Sequence, residues 1–236
     1  MNRLFPAAIA ALLACALPGP AAADLFVSPV IVEMVGRPTV TVRIGNQGQQ
    51  PTQAQVRVFG WTHGKGGDEY PPTEEVVASP PIFDLGPGET QTIRLLARKM
   101  PTEREAAYRV FVDQIPGETE RRGRGQISFP IRFVLPLFVA AGSEGEARLA
   151  SQFQRTSVNA ATLAISNTGT KRARFDDLWL VAGGQKIKAP GDFPTYVLAG
   201  SAREWTFTGR DANAAAQATK LMVMIDDKEV EIPLGR

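Results

Sequence analysis

The sequence predicts an all-β protein that contains two sandwich domains of one kind. Short alternating or β-branched runs, separated by Gly, Pro and Asn, follow one another along most of the chain. Runs of this kind read as strands, and several short strands at regular spacing are typical of a sandwich or a barrel. The second observation is a pair of turn-and-strand landmarks that occurs twice in the same order. Together they predict the fold class and its duplication.

Six runs carry most of the strand prediction. A helical period is nearly absent, although "PTEREAAYR" (101–109) could form one turn and the alanine-rich "DANAAAQATKL" (211–221) a short helix. The six runs, in chain order, are "LFVSPVIVEMV", "PTVTVRI", "AQVRVFGW", "TQTIRLLA", "YRVFVDQI" and "ISFPIRFVLPLFV".

The first landmark is a strand that ends at an Asn-x-Gly turn. "VRIGNQG" (42–48) leads to Trp61, and "LAISNTG" (163–169) leads to Trp179. Asn and Gly both tolerate positive φ, so this shared spacing has a turn mechanism behind it. We therefore expect the two tryptophans on comparable strands of two related domains.

The second landmark is a Gly-bearing turn followed by an alternating strand. It occurs in "LGPGETQTIRLLA" (85–97) and again in "LAGSAREWTFTGR" (198–210). Two landmarks in one order predict two sandwiches joined near "VAAGSEGEA" (139–147). We place the domains at residues 24–140 and 141–236.

The first 23 residues have the features of a secretory signal peptide. They combine a basic start, an apolar run and a small-residue site before Asp24. Cys15, the only cysteine, lies inside that segment. No later apolar run is long enough to span a bilayer. We expect an exported chain with no disulfide and no membrane span.

Composition and motifs argue against several functional classes. The net charge is +2, with 26 basic and 24 acidic residues interspersed, which does not favour nucleic-acid binding. His63, the only histidine, lies in the Gly-rich "THGKGGDEY", where a solvated hairpin residue is the expected role. Cysteine and histidine clusters for a metal are absent from the sequence. We expect neither an enzyme nor a cofactor.

The run "GQISFPIRFVLPLFVA" is the most unusual part of the chain. An apolar residue stands at every second position, so one face of a strand would be apolar, and Pro130 interrupts the run. Proline cannot donate to a ladder, so this strand should lie at a sheet edge. An apolar edge is a template for pairing with another chain, unless a loop or domain of the same protein covers it. The apolar positions are Ile127, Phe129, Ile131 and Phe133.

Three blocks of the first half resemble the periplasmic chaperones of chaperone–usher pilus assembly. They are "SPPIFDLGPGETQTIRL" (79–95), "EREAAYRVFVDQIP" (103–116) and "PIRFVLPLF" (130–138). The resemblance implies two immunoglobulin-like β-sandwich domains in a boomerang arrangement. It further implies binding and folding of pilin subunits by donor-strand complementation in the periplasm, with delivery to an outer-membrane usher.

The resemblance also implies roles for single residues. The apolar alternation at 127–133 corresponds to the donor strand, and Arg132 to a basic residue that binds the pilin's C-terminal carboxylate in the cleft between domains. Pro80 falls at a cis proline. Arg94, Glu105 and Asp227 fall on a charge network that joins the two domains.

The chain departs from the family pattern on its first strand. The family carries a second anchoring arginine there, and the matching position holds Ile31. Arg109 is the predicted substitute, because its strand borders the donor strand in the family's sheet. The short donor run, with Gly123 and Gly125 upstream, suggests the archaic branch that serves spore-coat-U-like subunits.

A competing hypothesis is a secreted adhesion or binding module built from two immunoglobulin-like domains. It predicts functional residues on loop tips such as "WTHGKGGDEY", and a donor strand buried inside the protein. The sequence does not name the pilus or its subunits, nor does it decide whether the free chain self-associates.

Overall fold

The computed structural model describes residues 25–64, 67–115 and 130–235, which form twenty-one strands and one short helix. The all-β prediction is confirmed. Helix α1 (Gly209–Ala215) lies in the predicted alanine-rich segment. The helical turn predicted at 101–109 is not formed, since residues 102–104 bend and a strand begins at Ala106. The predicted signal peptide lies outside the described residues.

The first eleven strands build one sandwich. One sheet has the strand order β1–β3–β9–β7, the other β2–β11–β10–β4–β8, and β5 and β6 form a separate hairpin. Alternate side chains of the two sheets meet in one core. The strands are β1 (Leu25–Ser28), β2 (Val32–Val35), β3 (Thr39–Asn46), β4 (Thr52–Gly60), β5 (Thr62–Gly64), β6 (Gly67–Glu69), β7 (Val76–Ser79), β8 (Ile82–Leu85), β9 (Thr90–Ala97), β10 (Ala106–Ile115) and β11 (Arg132–Ala140).

The remaining strands build a second sandwich with its own core. Its sheets have the orders β18–β13–β12–β21 and β16–β15–β19–β20, with a small β14–β17 ladder. Helix α1 covers one part of this core through Ala212 and Ala215. The strands are β12 (Leu149–Ser157), β13 (Ala160–Asn167), β14 (Ala173–Phe175), β15 (Asp177–Ala182), β16 (Gln185–Lys188), β17 (Thr195–Val197), β18 (Ser201–Thr208), β19 (Lys220–Ile225), β20 (Lys228–Ile232) and β21 (Leu234–Gly235).

The first copy of the duplicated landmark is tied together by Asn46. This residue ends β3 and is 1% exposed. Its Nδ2 donates to the carbonyls of Gln50 (2.8 Å) and Leu85 (3.2 Å), and its Oδ1 accepts from the Gly48 N–H (2.9 Å). Leu85 leads into the turn at Gly88, whose φ of 75° suits glycine. One buried amide thus joins two turns that lie about 40 residues apart.

Asn167 makes the same contacts in the second half. It ends β13, and its Nδ2 donates to the carbonyls of Lys171 (2.7 Å) and Val197 (3.1 Å). Its Oδ1 accepts from the Gly169 N–H (3.0 Å). The turn after Val197 contains Gly200 at a φ of 68°. The landmarks therefore recur because each sandwich needs an asparagine, a following glycine and a distant Gly-bearing turn to build one corner.

The two tryptophans occupy corresponding places in the strand order, Trp61 directly after β4 and Trp179 within β15, but they differ in their surroundings. Trp61 follows β4 and is buried among aromatic residues. Trp179 lies within β15 on an outward face, where the Lys186 Nζ is 4.7 Å from its ring centroid. The buried tryptophan of the second core is Trp205.

Strand β11 is paired on one side along its whole length and on the other side over only half of it. It pairs antiparallel with β10 from Arg132 to Val139. Strand β2 joins its other side in parallel, beginning at Leu137↔Val32. Among the described residues, no strand pairs with positions 132–136 on that side. The predicted edge is therefore present as a short open edge next to a covered one.

Candidate functional site

The open edge borders an outward face built by β4, β10 and β11. Strand register places three rows of side chains side by side on this face. Each row contains one arginine. The rows are Gln55–Asp113–Arg132, Arg57–Phe111–Val134 and Phe59–Arg109–Pro136.

At one end of this face, Asp113 binds two arginines. Its Oδ2 accepts from the Arg57 Nη2 at 2.6 Å, and its Oδ1 accepts from the Arg132 Nε. Burial raises the pKa of Asp113, but hydrogen bonds and positive charge from Arg132 and Arg57 outweigh burial and hold the pKa below its usual range. Asp113 is therefore an anion that orients both guanidinium groups.

Arg132 is the first residue of β11. The residue of β11 that reaches the aromatic cluster between the two sandwiches is Phe138, six positions further along the strand. At about 3.3 Å per residue this separates the two positions by roughly 20 Å. Arg132 and Phe138 are an even number of positions apart, so they share one face of β11, and the Arg132 Nε donates to Asp113. The role of Arg132 in the interdomain cleft stays a prediction.

Arg109 lies nearer to the cleft and is poorly neutralised. Its side chain is 15% exposed, and its guanidinium carbon stacks 3.5 Å from the Trp61 ring centroid. Its Nη2 is 3.9 Å from the Asp68 Oδ2, and its Nε is buried with no hydrogen-bond partner among the described residues. Burial lowers the pKa of Arg109. A buried cation with spare donors is a site that an anion would stabilise.

Asp68 is shared among three partners, which lie on β5, β10 and β18. It accepts from the His63 Nδ1 (2.9 Å) and the Arg203 Nη1 (2.9 Å) in addition to its longer contact with Arg109. The His63 Nε2 accepts from the Leu198 N–H at 3.2 Å, which requires the neutral ring with its proton on Nδ1. His63 is 2% exposed, so the prediction of a solvated histidine is wrong. The hairpin instead packs against the second sandwich.

An aromatic cluster lies between the two sandwiches. Trp61 and Phe138 from the first half contact Tyr196 and Leu198 from the second. The rings of Trp61 and Tyr196 meet edge to face, with centroids 5.5 Å apart. No periodicity in the sequence indicated this cluster, because its members come from three separate segments.

A second polar contact joins the sandwiches through Arg172. The Nη1 of Arg172 donates to the nearly buried carboxylate of Glu105, its Nη2 donates to Glu33, and its guanidinium carbon stacks 3.6 Å from the Phe138 ring centroid. The Arg172 N–H also donates to the Glu105 Oε1 at 3.2 Å. Burial raises the pKa of Glu105, and Arg172 opposes that rise only in part.

The predicted charge network of Arg94, Glu105 and Asp227 is therefore corrected. Within the part of the chain that the structure describes, neither Arg94 nor Asp227 forms an ion pair with Glu105. Arg94 lies in β9 opposite Thr41, in the other sheet from β10. Asp227 lies in the turn between β19 and β20, with a φ of 60°. Of the three predicted residues, Glu105 alone takes part in the interdomain contact, and its partner is Arg172.

Replacing Glu105 with alanine should lower the free energy of unfolding by about 2 kcal/mol. The change leaves the half-buried Arg172 with Glu33 alone, and removing one partner of a buried pair is destabilising. Urea unfolding followed by circular dichroism measures the effect. Glu146→Ala is the matched control, because the Glu146–Arg148 pair is solvent-exposed and should contribute less than about 0.5 kcal/mol. Equal effects of the two changes would contradict this role for Glu105.

The donor-strand residues are described only in part. Ile127 and Phe129 lie outside the described residues. Ile131 is half-buried, and its backbone is held by Gln114, whose N–H donates to the Ile131 carbonyl at 2.9 Å. Phe133 packs against the core of the first sandwich. That all four donor residues face one way stays a prediction. The Ser79–Pro80 peptide bond is cis, as the resemblance indicated.

The first half of the chain is similar to a described protein family. Residues 27–141 match the family "Pili and flagellar-assembly chaperone, PapD N-terminal domain". The chain is 30% identical over 148 residues to the chaperone protein FimB/FhaD of Bordetella pertussis, a match that covers 58% of this chain and 59% of that protein. The chain thus spans less than two thirds of the length of this curated relative.

Solved structures share the fold over nearly the whole chain. The chaperone–tip subunit complex CsuC–CsuE, from the archaic Csu pili of Acinetobacter baumannii, matches with a TM-score of 0.69 at 21% identity over 91% of this chain and 100% of that chain. The Salmonella enterica complex of the SafA pilin with the SafB chaperone matches with a TM-score of 0.63 at 15% identity, over 89% and 96% of the two chains. At these identities the likeness shows a two-domain immunoglobulin-like fold. In the described residues, no helix is long and apolar enough to cross a membrane.

Proposed function

We propose that this chain, whose residues 27–141 match the pili and flagellar-assembly chaperones, captures pilin subunits in the periplasm by donor-strand complementation. It holds each subunit until an outer-membrane usher receives it. Binding drives the folding of the subunit, so the chain acts as a chaperone and not as an enzyme. The observation that carries this proposal is the open edge of β11.

The open edge has a defined length and a defined end. Positions 132–136 offer their outer side to a further strand, and β2 occupies that side from Leu137 onward. A client strand added there can make a ladder of about five residues before it meets β2. If it runs parallel to β11, as β2 does, its C-terminal end lies beside Pro136. The edge therefore suits the last strand of a client chain.

Arg109 is the cation at the end of this edge. It lies directly opposite Pro136 in the β10–β11 register, and it carries the spare buried donor described above. Ile31 immediately precedes Val32, the first residue of β2 to pair with β11. A client carboxylate at this point would meet Arg109, which supports its proposed role as the substitute for the missing first-strand arginine.

Apolar contacts alone do not make such a complex stable. Three or four donor side chains contribute roughly 5–12 kcal/mol at ~1.5–3 kcal/mol each. Association and strand ordering cost about 4–15 kcal/mol. The backbone ladder and a charge-assisted carboxylate contact of about 1.5–3 kcal/mol therefore decide whether the client stays bound. Membership of the archaic branch stays a prediction.

The competing adhesion module is less well supported. It places its functional residues on the tip of the β5–β6 hairpin, but His63 and Asp68 of that hairpin bind Leu198 and Arg203 of the second sandwich. A hairpin engaged in this way is a structural contact between the two halves.

Phe129→Asp should abolish client capture while the chaperone stays folded. A charge placed in an apolar subunit groove loses its hydration without gaining a partner. The measurement is co-purification of a tagged chaperone, from periplasm, with the secreted subunits encoded beside it. Val158→Asp is the control, because Val158 is an exposed apolar residue of the second sandwich. Normal capture by a folded Phe129→Asp protein would refute donor-strand complementation through this segment.

A further inference from the structure

We infer that the outward face of β4, β10 and β11 binds a second anionic group of the client. This group is an acidic side chain at the fifth residue from the client's C-terminus. Arg57 and Arg132 would bind this side chain, while Arg109 binds the terminal carboxylate. The inference rests on the proposed function, because it assumes a client strand on the open edge.

Two clusters of the same composition lie on this face. Asp113 stands between Arg57 and Arg132, and Asp68 stands between Arg109 and Arg203. Each set of two guanidinium groups and one carboxylate has a formal charge of +1. Each can therefore accept one further anion without accumulating negative charge.

The guanidinium groups of the first cluster have donors to spare. Each arginine carries five N–H donors. Within the described ranges, the hydrogen bonds of both Arg57 and Arg132 go to Asp113 alone. Their side chains are 42% and 56% exposed, so a ligand can reach them. Their guanidinium carbons lie 5.6 Å from the rings of Phe59 and Phe111, respectively, which limits the orientations of the two groups.

The spacing of the clusters matches the repeat of a strand. Asp113 and Arg109 are four residues apart in β10, and their partners Arg132 and Pro136 are four apart in β11. Four residues of strand span about 13 Å, and positions four apart share a face. A parallel client strand whose last residue lies beside Pro136 therefore places its fifth residue from the end beside Arg132, on the same face.

The middle row adds one more element of the recognition pattern. The client's third residue from the end would lie beside Val134, which is exposed and borders Phe111. An apolar side chain fits there. The inferred signature is therefore an acidic residue, then an apolar residue two positions later, then a free carboxylate two positions after that.

Synthetic peptides test this inference with the full secreted chain. The probe is a fluorescein-labelled 12-residue peptide of alternating threonine and valine, with a free carboxylate, valine at the last and third-last positions, and glutamate at the fifth-last. Fluorescence anisotropy in low salt should show this peptide binding about 5-fold more tightly than the same peptide with glutamine. Glutamate at the fourth-last position, on the other face, should give no gain. The preference should shrink in 0.5 M NaCl, since exposed charges are screened.

Variants of the chaperone assign the effect to the two arginines. The double variant Arg57→Gln/Arg132→Gln should bind the glutamate and glutamine peptides equally. Arg148→Gln, an exposed arginine of the second sandwich, should keep the 5-fold preference. Equal affinity of the two peptides for the unaltered protein would overturn the inference, as would a preference that survives the double variant. Absence of binding by the glutamate peptide at 1 mM would overturn it too.

The proposed function has a separate readout in the same experiment. A C-terminal amide should weaken both peptides, because it removes the carboxylate assigned to Arg109. If the C-terminal amide does not weaken binding but the glutamate peptide is still preferred, the assignment of the terminal carboxylate to Arg109 is wrong. The second site at Arg57 and Arg132 is then still supported. If no peptide binds while subunits still co-purify with the chaperone, the second site is wrong and the proposed function stands.

Discussion

Replacing Arg109 with alanine is expected to weaken client capture by about 10- to 100-fold. The expected loss is that of one charge-assisted contact with a carboxylate, about 1.5–3 kcal/mol. The side chain stacks on Trp61 and holds a buried Nε with no hydrogen-bond partner among the described residues. Arg109→Lys should recover part of the capture, because the charge remains while the planar stack is lost. Affinity of the purified chaperone for a subunit, measured by calorimetry, checks both variants.

Stability separates this role from a structural one. Burial lowers the pKa of Arg109, and its interactions with Tyr70 and with Asp68, at 3.9 Å, offset burial only in part, so its removal relieves an electrostatic penalty within the free protein. We expect the melting temperature of Arg109→Ala to be unchanged or higher. A variant that loses stability and capture together would show that Arg109 supports the fold, and the anchor assignment would then be wrong.

Replacing Asn167 with alanine is expected to destabilise the second sandwich by about 2–4 kcal/mol. The buried amide joins the carbonyls of Lys171 and Val197 to the N–H groups of Gly169 and Arg148. Alanine leaves these groups without that partner, and each unmet buried group is destabilising by about 1–3 kcal/mol where water cannot replace the bond. For a domain of about 100 residues, a shift of roughly 4–8 °C accompanies each kcal/mol. Thermal unfolding followed by circular dichroism measures it.

The duplicated corner makes a matched comparison available. Asn46→Ala should destabilise the first sandwich by a similar amount, since Asn46 makes the equivalent bonds. Asn159→Ala should have little effect, because Asn159 is exposed in the β12–β13 turn and its side chain has no hydrogen bond to the described residues. A large effect of Asn159 together with a small effect of Asn167 would contradict the shared role of the two buried asparagines.

Local patterns explain why the strands and the duplication could be predicted. Strand alternation repeats every two residues, and Asn and Gly mark turns through their own backbone preferences. The sequence therefore showed the Asn-x-Gly landmark, whereas the hydrogen bonds of the buried amide could be found only in the structure. The prediction of a cis bond before Pro80 rested on the resemblance, in which the order and spacing of the nearby residues match the family.

The interdomain contacts could not be predicted in the same way. Glu105 and Arg172 are 67 residues apart, and Asp68 and Arg203 are 135 apart. Contacts of this kind depend on how the two folded sandwiches pack against each other. This packing leaves no periodic pattern in the sequence. The contact of Arg132 with Asp113 could not be predicted either, since it depends on the β10–β11 register, which also puts Pro136 beside Arg109.

Amide hydrogen exchange on the open edge tests the central claim most directly. The measurement compares the free chaperone with a co-purified chaperone–subunit complex, using peptides that cover residues 132–136 and, as an internal reference, β20 (Lys228–Ile232) of the second sandwich. A client strand on β11 would add ladder hydrogen bonds, so exchange at 132–136 should slow at least tenfold in the complex while exchange in β20 stays the same. Unchanged exchange at 132–136 in a stable complex would show that the client binds elsewhere, and would contradict capture at this edge.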